Sequence, residues 1–199
     1  MGAVRACAPP GAVGQPRDLT RGPSVSDARL AIPADDPAAE VTAHDLEVLA
    51  EQLGRPPRGV VGIAARCACG RPLVVRTAPR LENGTPFPTT FYLTSPGAVA
   101  AASTLEANGV MKEMSDRLTQ DEELAAAYRR AHEHYLAQRE ALGHVEEIDG
   151  ISAGGMPTRV KCLHVLVGHA LAAGPGVNPL GDEALGLVRD VWRPDRCTC

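Results

Sequence analysis

Aromatic residues are scarce in this chain: 3% of 199 residues, with one Trp, three Tyr and two Phe. Any core must therefore rest on Ala, Val and Leu, and a hydrophobic content of 44% is enough for one well-cored domain with flexible ends. Lysine is scarcer still. Among the 20 basic residues only Lys112 and Lys161 are not arginine; alongside abundant Ala, Gly and Pro, this fits a GC-rich bacterial genome better than a functional choice. No stretch reaches the roughly 18 apolar residues that a membrane-spanning helix requires. The opening residues, MGAVRACAPPGAVGQPRDLTRGP, lack an apolar run followed by a cleavage site, so no signal peptide is expected, and Arg5 disfavours lipoprotein processing at Cys7. A net charge of -4 argues against nonspecific coating of nucleic acid. The expected address is cytoplasmic, with the six cysteines reduced, which favours metal binding or thiol chemistry over a disulfide framework.

Residues 1–40 are rich in Pro, Gly, Ala and Asp without helical or strand periodicity, and are expected to form a disordered leader. A single α+β domain is expected over residues 41–192, with a frayed tail over 193–199. Thr42 is a natural N-cap for a helix over Ala43–Leu53, ended by Gly54 and barred from continuing by Pro56-Pro57. Strand patterns follow at Gly59–Ala65, Leu73–Thr77 and Thr89–Leu93, with a turn signal at Asn83-Gly84. Beyond Pro96 the texture is helical: Gly97–Asn108, Val110–Leu118, Asp121–Leu142, Thr158–Ala173 and Asp182–Val191. A small sheet followed by a helical, bundle-like half is the α+β pattern.

The chemistry concentrates in MPTRVKCLHVLVGHALA, residues Met156–Ala172, where Cys162, His164 and His169 share one helical segment. Cysteine and histidine combine soft metal ligation with titration near neutral pH. If the helix begins at Thr158, its turn of about 100° per residue puts Cys162 and His169 in line and His164 on the opposite flank. One metal ion then reaches Cys162 with His169, and reaches His164 as well only if the helix begins after Cys162. Upstream, Cys67-x-Cys69 is one residue too close for a zinc knuckle, although Gly70 follows it as in such knuckles. Three readings stand. Cys67, Cys69, Cys162 and His169 bind zinc or another transition metal; or Cys162 is a catalytic thiolate with His164 or His169 as acid or base; or these side chains simply pack and hydrogen-bond locally. Cys197-x-Cys199 reads as an inconsequential tail. His132 and His134 read as solvated or core-edge positions.

From Gly54 to Arg80 the chain carries six arginines and no acid. Guanidinium forks suit phosphate and carboxylate groups. Arg55, Arg58, Arg66 and Arg71 are therefore candidate ligand-binding residues, together with Arg159 and Lys161 after the glycine loop Gly150–Pro157. Helix N-termini bind anions, yet the spacing of this loop fits neither common phosphate-binding glycine pattern. The competing reading is a solvated arginine face balanced by internal ion pairs.

Four blocks, GRPPRGVVGIAARCACGRP, GTPFPTTFYLTSP, LEANGVMKEM and GISAGGMPTRVKCLHVLVGHALAAGPGVNPLGDE, together resemble the bacterial domain-of-unknown-function 501 family, common in actinobacteria. The resemblance runs from Asp45 to Val188 and brings no established activity. It implies that Cys67, Cys162, His164 and His169 belong to a family pattern, and that Ser95 stands where members often carry cysteine. Family genes often lie near those for enolase, a septum-formation initiator and an exopolyphosphatase. Three functions follow as expectations. The first is a binding or regulatory module for a phosphorylated or other anionic ligand, with or without a Cys/His-bound metal. The second is a metal- or thiol-dependent hydrolase using Cys162. The third is an interaction protein of the division or envelope machinery that docks through Asp121–Leu142. No specific nucleic-acid partner is expected.

Overall fold

Helix α1 (Ala43–Leu53) runs between the cap and the stop that its sequence signals. Thr42 Oγ1 accepts the Asp45 N–H at 3.1 Å while the Asp45 carboxylate accepts the Thr42 N–H at 3.0 Å, a reciprocal cap that satisfies two orphan donors. Gly54 closes the helix at φ 65°, a left-handed conformation that suits glycine. The computed structural model describes residues 32–197.

Three antiparallel strands follow in the order β1-β2-β3: β1 (Val60–Arg66), β2 (Pro72–Thr77) and β3 (Phe91–Leu93). Every residue of β2 is buried, as befits a central strand. Val75 joins Ile32, Ala39, Leu49 and Ile63 in a small cluster with α1. Val74 belongs to the larger core, with Ala64, Leu73, Phe91 and the later helices. The Asn83-Gly84 turn forms between β2 and β3, with the Gly84 N–H on Leu81 O at 2.8 Å.

The remaining helices are α2 (Pro96–Ala107), α3 (Val110–Leu118), α4 (Glu122–Glu140), α5 (Leu163–Ala173) and α6 (Pro179–Leu187). Together with the sheet they make one α+β domain, and no helix among the described residues is long and apolar enough to cross a membrane. Helix α4 buries Tyr128, Ala131, Tyr135 and Arg139 along one stripe. Helix α5 is the central helix and is closely hemmed in. A Cβ on Gly168 would stand 3.0 Å from Phe91 O of β3, and one on Gly181 of α6 would stand 2.3 Å from Leu166 O. Both neighbours thus approach α5 backbone to backbone.

Three of the boundaries that differ from those read in the sequence bear on the site and the core. Helix α5 starts at Leu163, not Thr158, because the preceding amides have tertiary partners. The Val160 N–H goes to Ser115 Oγ at 3.0 Å and the Lys161 N–H to Gly154 O at 2.7 Å, leaving Cys162 extended at φ -156°. Helix α6 starts at Pro179, where Asn178 caps it by accepting the Gly181 N–H at 3.0 Å. The packed body also reaches back into the expected leader. The Ile32 N–H bonds to Ala64 O at 2.9 Å, buried Arg76 donates to Ile32 O at 2.5 Å, and Ala39 sits in the small cluster. Residues 1–31 of that leader lie outside the described residues. At the other end, Cys197 packs against the main core.

Candidate metal centre

Two helices meet at the N-terminus of α5. Helix α2 buries Ala98, Ala101, Ala102 and Leu105, which leaves Ser103 and Glu106, one turn apart, on its flank. Glu106 Oε1 accepts the Leu163 N–H at 2.6 Å and so caps α5 from outside, a role the Cys162 side chain does not take. With Cys162 extended, the backbone bends just before α5, and its thiol comes to lie beside His164 instead of two turns below His169. Cys162 Sγ is 3.7 Å from His164 Nδ1, and the same nitrogen is 3.1 Å from Glu106 Oε1. The three donor atoms lie within 4.8 Å of one another, all on half-buried residues. On the other side of the ring, His164 Nε2 sits 3.2 Å from Ser103 Oγ. The Cys162 thiol first, and Glu106 second, hold the His164 imidazole in its charged form, pushing its pKa up to about 9.

His169 lies elsewhere, with no exposed surface. Its ring stacks on Phe91 at 5.5 Å and meets the edge of Tyr135 at 5.1 Å. Asn178 fixes its tautomer. The Asn178 carbonyl is committed to the Gly181 N–H, so its amide nitrogen donates to His169 Nδ1 at 3.1 Å. His169 therefore carries its proton on Nε2 and donates it to His134 Nδ1 at 2.9 Å. Burial, then the neighbouring His134, pushes the His169 pKa down to about 3, which keeps the ring neutral.

Cys67 and Cys69 join neither histidine. Their sulfurs gather instead with that of Cys197. The set Cys67, Cys69, Cys162 and His169 thus divides among three places. The arginines divide as well. Arg66 forks onto Asp45 at 2.6 and 3.0 Å, and Arg71 reaches Glu51 at 2.5 Å. Both line a cavity of about 420 Å³ beside Cys69. Arg55 and Arg58 line another of about 350 Å³ with Phe87 and Tyr92, and Arg159 and Lys161 line neither of these two. They remain exposed next to Cys162 in sequence. The Arg66–Asp45 pair holds the Asp45 carboxyl down at about 2.

A family model described as "Protein of unknown function (DUF501)" matches residues 63–186. The chain belongs to this family. The matched span takes in most of the sheet, α2 to α5 and nearly all of α6, hence both sides of the Glu106–Cys162–His164 group. No curated protein and no solved structure matches the chain.

Sequence reasoning missed Glu106 and Ser103. Their one signal was two polar residues three apart in an otherwise Ala-rich helix, and nothing local says which element that face meets. Asn178 was missed, and Cys197 read as an inconsequential tail, for the same reason, since their partners lie far away in sequence.

Proposed function

We propose that this family member is a metal-dependent hydrolase acting on a phosphorylated or similarly anionic substrate, with its ion held by Glu106, Cys162 and His164. The observation that carries this reading is that Cys162 and Glu106 converge on the same ring nitrogen, His164 Nδ1. A thiol nucleophile activated by a His–acid pair needs thiol and acid on opposite ring nitrogens, because the ring relays between them. A metal needs the reverse, every donor aimed at one point. A tetrahedral ion with bonds of about 2.3 Å to sulfur and about 2.0–2.1 Å to nitrogen and oxygen sets S···N near ~3.5 Å and N···O near ~3.3 Å. The separations here are 3.7 and 3.1 Å. Ser103 Oγ at Nε2 supports the reading, since a ligating imidazole usually donates its other N–H to a neighbour that fixes its orientation.

Catalytic zinc sites use three protein donors and leave the fourth position to water, whose pKa the ion lowers to about 7. Exposed Arg159 and Lys161, just before the site in sequence, suit an anionic substrate. The test is elemental analysis of protein purified without added metal, together with release of phosphate from small phosphomonoesters. Cys162→Ser, His164→Ala and Glu106→Gln should each lose one metal equivalent and the hydrolytic activity. Unchanged metal content in all three variants would remove the centre. A filled centre without hydrolysis would leave a ligand-binding module.

A further inference from the structure

We propose that Cys67, Cys69 and Cys197 form a second, structural metal site, independent of the first, in which a soft divalent ion such as zinc clamps the C-terminal segment onto the β1–β2 turn. The three sulfurs lie within 4.8 Å of one another although Cys197 is far from the other two in sequence. A tetrahedral zinc with bonds of about 2.3 Å holds its sulfurs ~3.8 Å apart, inside that limit.

The local structure aims the thiols. Residues Cys67 to Arg71 form a tight turn, with the Gly70 N–H on Cys67 O and the Cys67 N–H on Arg71 O, each at 2.8 Å. Gly70 turns the chain at φ 90°, where a side chain would be strained. The turn brings the two thiols, two residues apart, to one side of the chain. The C-terminal segment arrives from α6 through buried Trp192 and a bend in which the Arg196 N–H meets Arg193 O at 3.2 Å.

Packing in the main core accounts for Cys67 and Cys197 but not for Cys69, which is an exposed residue, and a thiol at the surface gains little from apolar contact. A disulfide would use two of the sulfurs and leave the third without a role. Arg66, which donates to Gly70 O at 3.0 Å, and Arg71, which ends the turn, line a cavity with Cys69. Three thiolates call for a soft ion such as zinc.

The experiment uses the full chain carrying Cys162→Ser and His164→Ala, which removes the ligands of the first centre. Zinc per chain is measured after purification, and cobalt is then substituted to read the sulfur-to-cobalt charge-transfer band. One zinc per chain and a thiolate band are expected. Adding Cys69→Ser or Cys197→Ser should abolish both, or weaken zinc binding beyond the roughly 10–100-fold seen for changes outside the ligand shell. Because Cys69 is exposed, its substitution leaves the core intact and keeps the test valid if Cys67→Ser fails to fold. Chelation should also speed proteolysis after Trp192. Zinc retained in both the Cys69 and the Cys197 variants would overturn the proposal. So would a zinc-free background protein that is two protons lighter by mass, because that marks a disulfide.

Discussion

Acid should begin to destabilise this protein well above the pH at which carboxylates titrate, and His169 is the reason. Its ring is neutral and fully enclosed, with a pKa of about 3 in the folded chain and an ordinary value near 6.5 once exposed. Between those values the unfolded chain binds a proton that the folded chain refuses. The stability that the neutral ring contributes is therefore complete above about pH 6.5 and falls as pH drops toward 3. Each pH unit in that window costs about 1.4 kcal/mol, so the step from 6.5 to 4 costs roughly 3 kcal/mol. For a domain whose whole stability is about 5–15 kcal/mol, that is a large share. His134, which accepts the His169 proton, and His132, which bonds Ser152, are also depressed by burial and add slope of the same sign. His164 is shifted the other way, so its effect falls above pH 6.5, outside the window. Urea denaturation at pH 7, 6, 5 and 4 measures the slope. His169→Gln keeps an amide that can bridge Asn178 and His134 but cannot titrate. It should be less stable than wild type at pH 7 and should lose most of the fall toward pH 4. Parallel stability curves for wild type and His169→Gln would refute the reasoning.

Deleting residues 1–40 should cost about 3 kcal/mol, because Ile32 and Ala39 leave their cluster and buried Arg76 loses a carbonyl partner. In a domain of this size that lowers Tm by roughly 6–12 °C, measurable by calorimetry, and an unchanged Tm would show that the segment contributes nothing. Asp45→Asn should remove about 2 kcal/mol at pH 7, a contribution that wild type keeps above about pH 4 and loses only as pH falls through 2. Acid titration of the two proteins separates this window from that of His169. Gly181→Ala should destabilise by at least about 2 kcal/mol in chemical denaturation, since its Cβ would stand 2.3 Å from Leu166 O and something must shift. Ser103→Ala should leave the fold unchanged while weakening metal binding roughly 10-fold or more, read by competition with a chelator.

The elements were legible because their signals are local. The Thr42 cap, the Gly54 stop, the Val-rich strands and the tyrosine stripe of α4 each lie within a few residues of what they specify. The start of α5 was not legible, because the amides that keep Val160 and Lys161 out of the helix are satisfied by Ser115 and Gly154. That single boundary decides the site. A helix from Thr158 pairs Cys162 with His169, whereas a helix from Leu163 pairs Cys162 with His164, the alternative that the sequence left open. The arginine stretch was legible as charge, but its partners Asp45, Glu51 and Glu147 lie on other elements, which no local pattern reveals. Glu106 could not be found at all without knowing that α2 lies against α5.

Helix α5 touches β3 and α6 at glycines, so its position is gauged by main chain and not by side chains that rotate or compress. Its buried middle works as a fixed bearing, and the residues of the proposed centre sit at its N-terminal end. Substitutions elsewhere in the core can then be absorbed by repacking without moving Cys162 and His164 relative to each other. Variation in such a protein should gather in the surrounding helices while Gly168 and Gly181 stay as they are, two residues with no chemistry that guard the alignment of those that have it.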